Sequence, residues 1–481
     1  MVLPTITVDV GTTSIKLCLF GADAELLATA KHPTPTVSDD SGETYDLPAV
    51  LQDVTAFVRD LPAASRAQVQ RIAVTGVGES GGLVRPDLSL ASPMILWHDQ
   101  RGIGYLTSLT VEERALVYRV TGLPVSGNYG LSKTAWAVER AGGACDAQWL
   151  NVAEYLAALM SGERWSEPSL ASRTMALDLS TRSWSAEVCA LVGLDTSVFP
   201  ALRPAAEGAP LTAAFAHEVG LGTDVRVHVA GHDHMVGAVG AALEPGELLN
   251  STGTTEGLLL LADAPSLNER AQRAKLANGL ACAGTGYTLF ASVPTGGSAF
   301  ATLQRMLGLD AERLGACMSD LHARYVDGLI DLDAVPLVLP QFRGSPPPTK
   351  DPSARGIIAG LRSDTRPEEI VLGTFLGLAL QLSDVLELFR VSPEQVKIIG
   401  PASGNPLWLQ LKADLLGLPL SVSGFDEVVS RGAQALASQT TGVWAETRPH
   451  DVLVDPTRRD RLAAWRTAVR PRWEHLKASP S

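Results

Sequence analysis

Ile6-Thr7-Val8-Asp9-Val10-Gly11-Thr12-Thr13-Ser14-Ile15-Lys16-Leu17-Cys18-Leu19-Phe20 reads as two β-rich runs joined by a tight turn. Such a hairpin carries small polar residues where the backbone is most accessible. Half a chain later, Asn250-Ser251-Thr252-Gly253-Thr254-Thr255-Glu256-Gly257 runs into Leu258-Leu259-Leu260-Leu261 with the same Gly-Thr-Thr at the turn. The near-central repeat predicts two related halves with their turns facing each other, able to clamp one polyphosphate in a cleft.

Between the hairpins, residues 225–230 form a buried-strand pattern, Gly231-His232-Asp233-His234 breaks it, and residues 235–243 read as a small-residue helix. Glu244-Pro245-Gly246-Glu247 supplies a turn, so the domains are placed at 1–244 and 245–481. The second half shows helical patterns at residues 298–308 and 367–388, then a short apolar strand at 396–399 running into Gly400-Pro401-Ala402-Ser403-Gly404-Asn405. Residues 336–361, with Pro346-Pro347-Pro348 at their centre, read as an ordered surface connection.

The 481 residues are 46% hydrophobic and 19% charged, enough to bury a large core and long enough for two domains. A net charge of −13 with no basic cluster argues against nucleic acid as partner, whereas backbone amides and helix N-termini still bind small phosphorylated molecules on an acidic protein. The first fifteen residues hold no Lys or Arg, and the apolar run at 371–382 falls short of the ~20 residues that cross a bilayer. Cys18, Cys145, Cys189, Cys282 and Cys317 are odd in number and without a Cys-x-x-Cys pair, so neither a disulfide framework nor a zinc ribbon is predicted. A cytoplasmic enzyme without a membrane partner is the expectation.

Phosphoryl transfer from a nucleotide needs donors around the phosphates, a carboxylate for Mg²⁺ and a base on the accepting hydroxyl. Gly11, Thr12, Thr13 and Lys16 offer donors in the first turn and Asp9 a carboxylate for metal; Gly253 and Thr254 repeat the donors in the second. No Walker string and no Gly-x-Gly-x-x-Gly follows the first strand. Asp233 ends a buried strand, where a carboxylate is costly unless bonded, metal-paired or placed to accept a proton; it is read as the general base. Zinc chelation by His232 and His234 lacks a third ligand. Trp97, Asp99 and Arg101 suit a polyhydroxylated ligand or an internal ion pair, and Glu79, after Gly78, suits sugar hydroxyls or a solvated loop.

Taken in order, these pieces resemble the FGGY carbohydrate kinase family within the actin-like ATPase superfamily. Asp9 to Thr13 is similar to its first phosphate motif, Trp97-x-Asp99-x-Arg101 to its sugar-domain motif, Gly231 to Gly237 to the segment bearing the catalytic Asp, and Ser251 to Thr254 to the second phosphate motif. Ala171-Ser172-Arg173-Thr174-Met175, Pro294-Thr295-Gly296-Gly297, Asp351-x-x-Ala354-Arg355-Gly356 and Gly400 to Asn405 with Trp408-Leu409-Gln410 add further matches. The resemblance implies an α/β fold of two ribonuclease H-like domains of the actin/Hsp70 type, with mixed five-stranded sheets flanked by helices and an interdomain cleft. It implies ATP on the second half, framed by Thr254, Gly296, Gly400, Pro401 and Asn405, and sugar on the first. Asp9 and Asp233 then lie near Mg²⁺, Thr12, Thr13 and Lys16 contact phosphates, and a homodimer is a frequent assembly among such kinases.

Two departures bear on the substrate. Pro401 replaces the second Gly common in the adenosine motif, removing a backbone donor. Val77-Gly78-Glu79 stands where xylulose-type kinases carry Gln-Met-His, Glu79 being closer to glycerol and autoinducer-2 kinases, and His234 replaces the commoner Asn, Gln or Thr. The segment Gly127-Asn128-Tyr129 before Lys133 is a further candidate for a hydroxyl contact. The main expectation is an ATP-dependent kinase acting on a primary hydroxyl of a small linear ketose or polyol. A glycerol- or tetritol-type polyol kinase and a non-catalytic nucleotide-binding regulator are the alternatives.

Overall fold

The computed structural model describes residues 3–39, 42–143, 146–440 and 448–479, so Cys145 lies outside the described residues. Cys18, Cys189, Cys282 and Cys317 are free thiols.

In the first half, β1 (Thr5–Val10), β2 (Ser14–Phe20) and β3 (Leu26–Pro33) form an antiparallel meander. Helix α1 (Leu47–Asp60) follows, and then β4 (Arg71–Gly76) lies parallel to β1 on its other side. Helix α2 (Val152–Ser161), the two-residue strand β5 (Ala209–Pro210), β6 (Arg226–His232) and helix α3 (Asp233–Gly240) complete it, giving the order β5-β6-β4-β1-β2-β3.

The second half repeats the plan with β7 (Leu248–Thr252), β8 (Glu256–Ala262), β9 (Ala277–Leu280) and β10 (Tyr287–Val293), followed by helix α4 (Ser298–Leu307). Strand β11 (Leu337–Leu339), helix α5 (Pro367–Phe389), β12 (Val396–Ile399), helix α6 (Pro406–Leu416) and β13 (Leu420–Val422) come next. Helix α7 (Val428–Ser438), β14 (His450–Val452) and helix α8 (Pro456–Ala478) close the chain, with the sheet ordered β9-β10-β8-β7-β12-β13-β14. Strands β3-β2-β1-β4-β6 and β10-β8-β7-β12-β13 share one pattern: two antiparallel pairings, then two parallel ones. The expected five-stranded cores are therefore both present. Short edge strands lengthen them to six and seven, covering backbone that would otherwise template another strand.

Alternation along β1 positions the site. Ile6, Val8 and Val10 enter the core shared with Val50, Val54 and Val58 of α1. The opposite face carries the buried Thr5, Thr7 and Asp9, and α7 packs against this strand, with Thr5 Oγ1 lying 3.4 Å from Ser438 Oγ. Helix α7 comes from the far side of the chain, yet Ala433, Leu436 and Ala437 join Ala73, Ala230 and Val236 in one cluster. It crosses α3 at backbone contact: a Cβ on Gly240 would sit 1.9 Å from the Val428 carbonyl oxygen, and one on Gly432 2.0 Å from that of Val236.

Two expectations change. Residues 336–341 are buried rather than a surface connection, because Gly373 and Gly377 of α5 admit the chain so closely that a Cβ would lie 2.4 Å and 2.1 Å from the Pro336 and Val338 carbonyl oxygens. Helix α5 is also longer than its apolar run indicated and, by length and composition alone, long enough to cross a membrane. It instead runs through the second core, with Phe375, Leu378 and Leu382 fully buried.

Candidate active site

Asp9 and Asp233 come together where the ends of β1 and β6 meet the cleft. Asp9 is the penultimate residue of β1, and Asp233 opens α3 directly after β6. Burial raises the Asp9 carboxyl to about 7, the charge of Asp233 pushing the same way and Lys16 opposing. Asp233 is also raised to about 7, first by burial, while the His234 amide opposes and the charge of Glu79 adds. Its Oδ1 accepts the His234 N–H at 2.6 Å and lies 3.2 Å from His232 Nε2. Burial, then the charges of Arg173 and His234, hold His232 well below the ordinary value. Asp233 Oδ2 has no protein partner among the described residues, and the side chain keeps 23% exposure.

A second group of side chains gathers around Glu79. The solvated-loop alternative is set aside by the geometry: Oε1 of Glu79 accepts Arg173 Nε at 2.9 Å and Nη2 at 2.7 Å, and the side chain is 13% exposed. Arg173 lies over Tyr129 at 5.1 Å and Phe290 at 5.8 Å. Gly78 is required beneath this pair, since a Cβ there would meet His232 Cδ2 at 2.5 Å and Arg173 Cγ at 3.0 Å. The His234 ring stands 4.9 Å from Phe290, its Nδ1 3.2 Å from Ser251 Oγ, and burial lowers it to about 4.

Trp97 reaches the first Gly-Thr-Thr turn by donating Nε1–H to Thr12 Oγ1 at 2.9 Å. The buried Lys133 fixes this contact, donating to the Trp97 carbonyl at 2.7 Å and to the Asn128 carbonyl. Burial brings its ammonium down to about 7. Asp99 and Arg101 realise the internal pair: Nη2 to Oδ2 spans 2.6 Å, a backbone bond of 2.7 Å backs it, and the guanidinium covers Trp136 at 5.1 Å. Among the described residues, Arg101 Nε and Nη1 are buried without hydrogen-bond partners. Asn128 is occupied in part by Gln100, whose Nε2 donates to its Oδ1 at 2.8 Å.

Both phosphate turns are pinned by their own backbone. Gly11 N–H donates to the Ser14 carbonyl at 3.1 Å, leaving Thr12 and Thr13 at the rim. Lys16 is held by Glu427, the residue capping α7, at 2.9 Å. In the second turn the amides of Gly296 and Gly297 reach the Thr254 and Gly253 carbonyls at 3.1 and 2.8 Å. Gly400, at φ +98°, lies so close that a Cβ would be 2.9 Å from the Thr252 carbonyl oxygen. Pro401 opens the 3₁₀ turn Pro401–Gly404, a position whose N–H has no intrahelical partner, so proline there costs the turn no bond. Asn405 Oδ1 caps α6 through Trp408 N at 3.3 Å while Nδ2 meets Met318 Sδ at 3.2 Å, so its side chain holds the loop rather than facing the cleft.

Sequence reasoning missed two buried ionic centres. Lys412 contacts Glu256 and donates to Asn250 Oδ1 at 2.8 Å beneath the second turn, over the Trp408 ring at 3.9 Å. A lysine inside the apolar run of α6 was the available signal. Arg173 appeared only as part of a quoted pentapeptide, and its pairing with Glu79 joins residues far apart in the chain.

Comparison with known proteins agrees with this architecture. Residues 5–240 match the N-terminal domain model of the FGGY family of carbohydrate kinases and residues 248–440 its C-terminal domain model. A glycerol kinase of Citrifermentans bemidjiense is 26% identical over 97% of this chain and 98% of its own. Among solved structures, a gluconate kinase from Lactobacillus acidophilus superposes with a TM-score of 0.88 at 19% identity, covering 100% of this chain and 99% of its own. A xylulose kinase from the same organism gives 0.87 at 18%, covering 99% of each. The chain belongs to the FGGY family of carbohydrate kinases, ATP-dependent phosphotransferases that use an alcohol group as acceptor.

Proposed function

We propose that this protein transfers the γ-phosphoryl group of ATP to a primary hydroxyl of a small linear ketose or polyol, with Asp233 as general base. The observation that carries this reading is Asp233 itself: a carboxylate at the cleft with one oxygen held by the His234 amide beside the His232 ring and the other without a protein partner among the described residues. Its value of about 7 suits proton acceptance near neutrality. Glu79, with one oxygen taken by Arg173, and the Asp99–Arg101 pair are read as the groups that hold acceptor hydroxyls, and Trp97 ties this side to Thr12.

Asp9 and Asp233 fit a divalent cation, because both are carboxyls raised by burial and the charge of Asp233 raises Asp9 further, a cost that a positive charge between them relieves. When bound, Mg²⁺ neutralises charge on the β- and γ-phosphoryl oxygens. Thr12, Thr13, Gly253 and Thr254 offer amides and hydroxyls to the phosphates, with Gly296 and Gly400 keeping that side open. The polyol form of the reading, of glycerol or tetritol type, gains support from Glu79 and from the glycerol kinase relative. Solved structures of the same fold are named for gluconate and for xylulose kinases.

The test is Asp233→Asn. Because proton acceptance is removed and shape kept, turnover falls on the order of 10²–10⁴-fold while ATP affinity, read by calorimetry, stays within a few-fold. In the wild-type enzyme kcat/KM rises with pH through the value of the free base, about 7. Near-normal turnover of Asp233→Asn would remove Asp233 from this role.

A further inference from the structure

Asp233 is carried by a bulge. The pairing of β6 with β4 shifts register between Val229 and Gly231, and Gly231 stands at φ +124°, a backbone that L side chains rarely adopt. A bulge beside a site re-aims the side chains that follow it, so the direction of Asp233 depends on what fixes Gly231 and His232. Thr75 Oγ1 fixes the first, donating to the Gly231 carbonyl at 2.7 Å. Ser169 fixes the second, its Oγ accepting the His232 N–H at 3.0 Å.

The Ser169 hydroxyl has no capacity left over. A hydroxyl gives one proton and receives at two lone pairs. Here the proton goes to Glu167 Oε2, and the lone pair not used by His232 receives Cys282 Sγ–H at 3.2 Å. Glu167 Oε2 is held in turn by the amides of Ser169 at 2.8 Å and Leu170 at 3.1 Å, where it caps the single turn Pro168–Ala171. Ser169, Glu167 and His232 are all buried, and Cys282 comes from the other half of the chain, just after β9. These groups converge on the bare side of Gly231: a Cβ there would lie 2.5 Å from Ser169 Oγ, 2.6 Å from Cys282 Sγ and 3.0 Å from Glu167 Oε2.

The His232 ring depends on this anchorage. A functional imidazole is ordinarily oriented through its second nitrogen. In His232, Nε2 lies 3.2 Å from Asp233 Oδ1, while Nδ1 is buried without a partner among the described residues. Gly78 makes room for the ring without bonding it, since a Cβ there would meet Cδ2 at 2.5 Å. The place of the ring is therefore set by its own backbone, and that backbone by Ser169.

We propose that Ser169, oriented by Glu167, is a positioning residue for Asp233: it fixes the His232 main chain, and with it the ring and the carboxylate of the next residue. The inference rests on the reading of Asp233 as general base and adds to it two residues that act through the backbone.

The test is Ser169→Ala in the full chain, assayed with glycerol, a tetritol and a ketopentose as acceptors at temperatures well below the thermal midpoint of the variant. A small misplacement of a reacting group costs up to about 10²-fold, so kcat falls about 10–100-fold while acceptor KM and ATP affinity stay within a few-fold. Glu167→Gln, which keeps an oxygen for the Ser169 proton, loses far less. Placed on Asp233→Asn, Ser169→Ala causes no further loss, because it acts through the carboxylate already removed. An unchanged kcat in Ser169→Ala, or a loss of the same size on the Asp233→Asn background, overturns the proposal. A crystal structure of Ser169→Ala is the second readout and needs no acceptor: the Asp233 carboxylate moves by about 0.5 Å or more from its place beside His232 Nε2. A carboxylate that stays in place overturns the proposal as well. Near-normal turnover of Asp233→Asn together with a displaced carboxylate in Ser169→Ala would remove the base reading and leave the positioning geometry standing.

Discussion

The two Gly-Thr-Thr turns occupy the same place in two sheets of the same topology, and each has a lysine and a glutamate beneath it, arranged differently. Under the first, Lys16 of β2 pairs with Glu427 from the other half of the chain, and the side chains keep 27% and 20% exposure. Under the second, Lys412 of α6 and Glu256 of β8 belong to one half and are fully buried. The first pair joins residues of the two halves and is partly open to solvent; the second is sealed and acts as part of the core. One fold used twice has thus become a reachable cation on one side and a fixed support on the other.

Breaking the sealed pair carries the largest expected effect. Lys412→Met strands Glu256, whose Oε1 already lacks a partner among the described residues, and the loss of one member of a buried pair costs about 3–5 kcal/mol. Chemical denaturation measures this directly. Adding Glu256→Leu to Lys412→Met recovers much of the loss, since an apolar replacement of both members leaves no stranded charge; a double variant as unstable as the single would deny the pair its structural role.

The comparison also marks what can be read from residues in a line. Hairpins were legible because alternation and a Gly-containing turn are local, and Asp233 because a carboxylate straight after a buried strand stands out over a few residues. The pairs Glu79–Arg173 and Glu256–Lys412 were not legible, being formed by residues brought together only when sheets and helices pack. Burial of residues 336–341 depended on two glycines of α5, which carry no hydrophobic signal of their own. Asp99 and Arg101 were legible as a set but not as a choice between ligand and ion pair; the structure makes the pair and leaves Nε and Nη1 of Arg101 without partners among the described residues. Asn405 was legible as a motif residue and is spent on the cap of α6.

A medium effect tests how the two turns communicate. Helix α7, capped by Glu427, crosses α3, which opens with Asp233, at Gly240 and Gly432. Gly240→Ala or Gly432→Ala drives a methyl into backbone at 1.9 or 2.0 Å and destabilises by about 1–3 kcal/mol, read as a lowered thermal midpoint. Gly404→Ala, in the adenosine-motif turn where nothing lies within 4 Å, is the control and shifts the midpoint far less. Equal shifts in all three would mean that the close backbone crossing does not set the cost.

The smallest stability effect belongs to Lys16→Met. A partly exposed ion pair contributes about 0–1 kcal/mol, so unfolding changes little, and less still at high salt. What separates Lys16 from Lys412 is then the ligand: if Lys16 leaves Glu427 for a phosphate, Lys16→Met weakens ATP binding about tenfold, a loss that shrinks as salt is raised. Glu427→Gln moves the other way, because it frees Lys16 from its competitor and tightens ATP. Unchanged ATP affinity in both variants would make the first pair as structural as the second, and the two turns would differ in exposure alone.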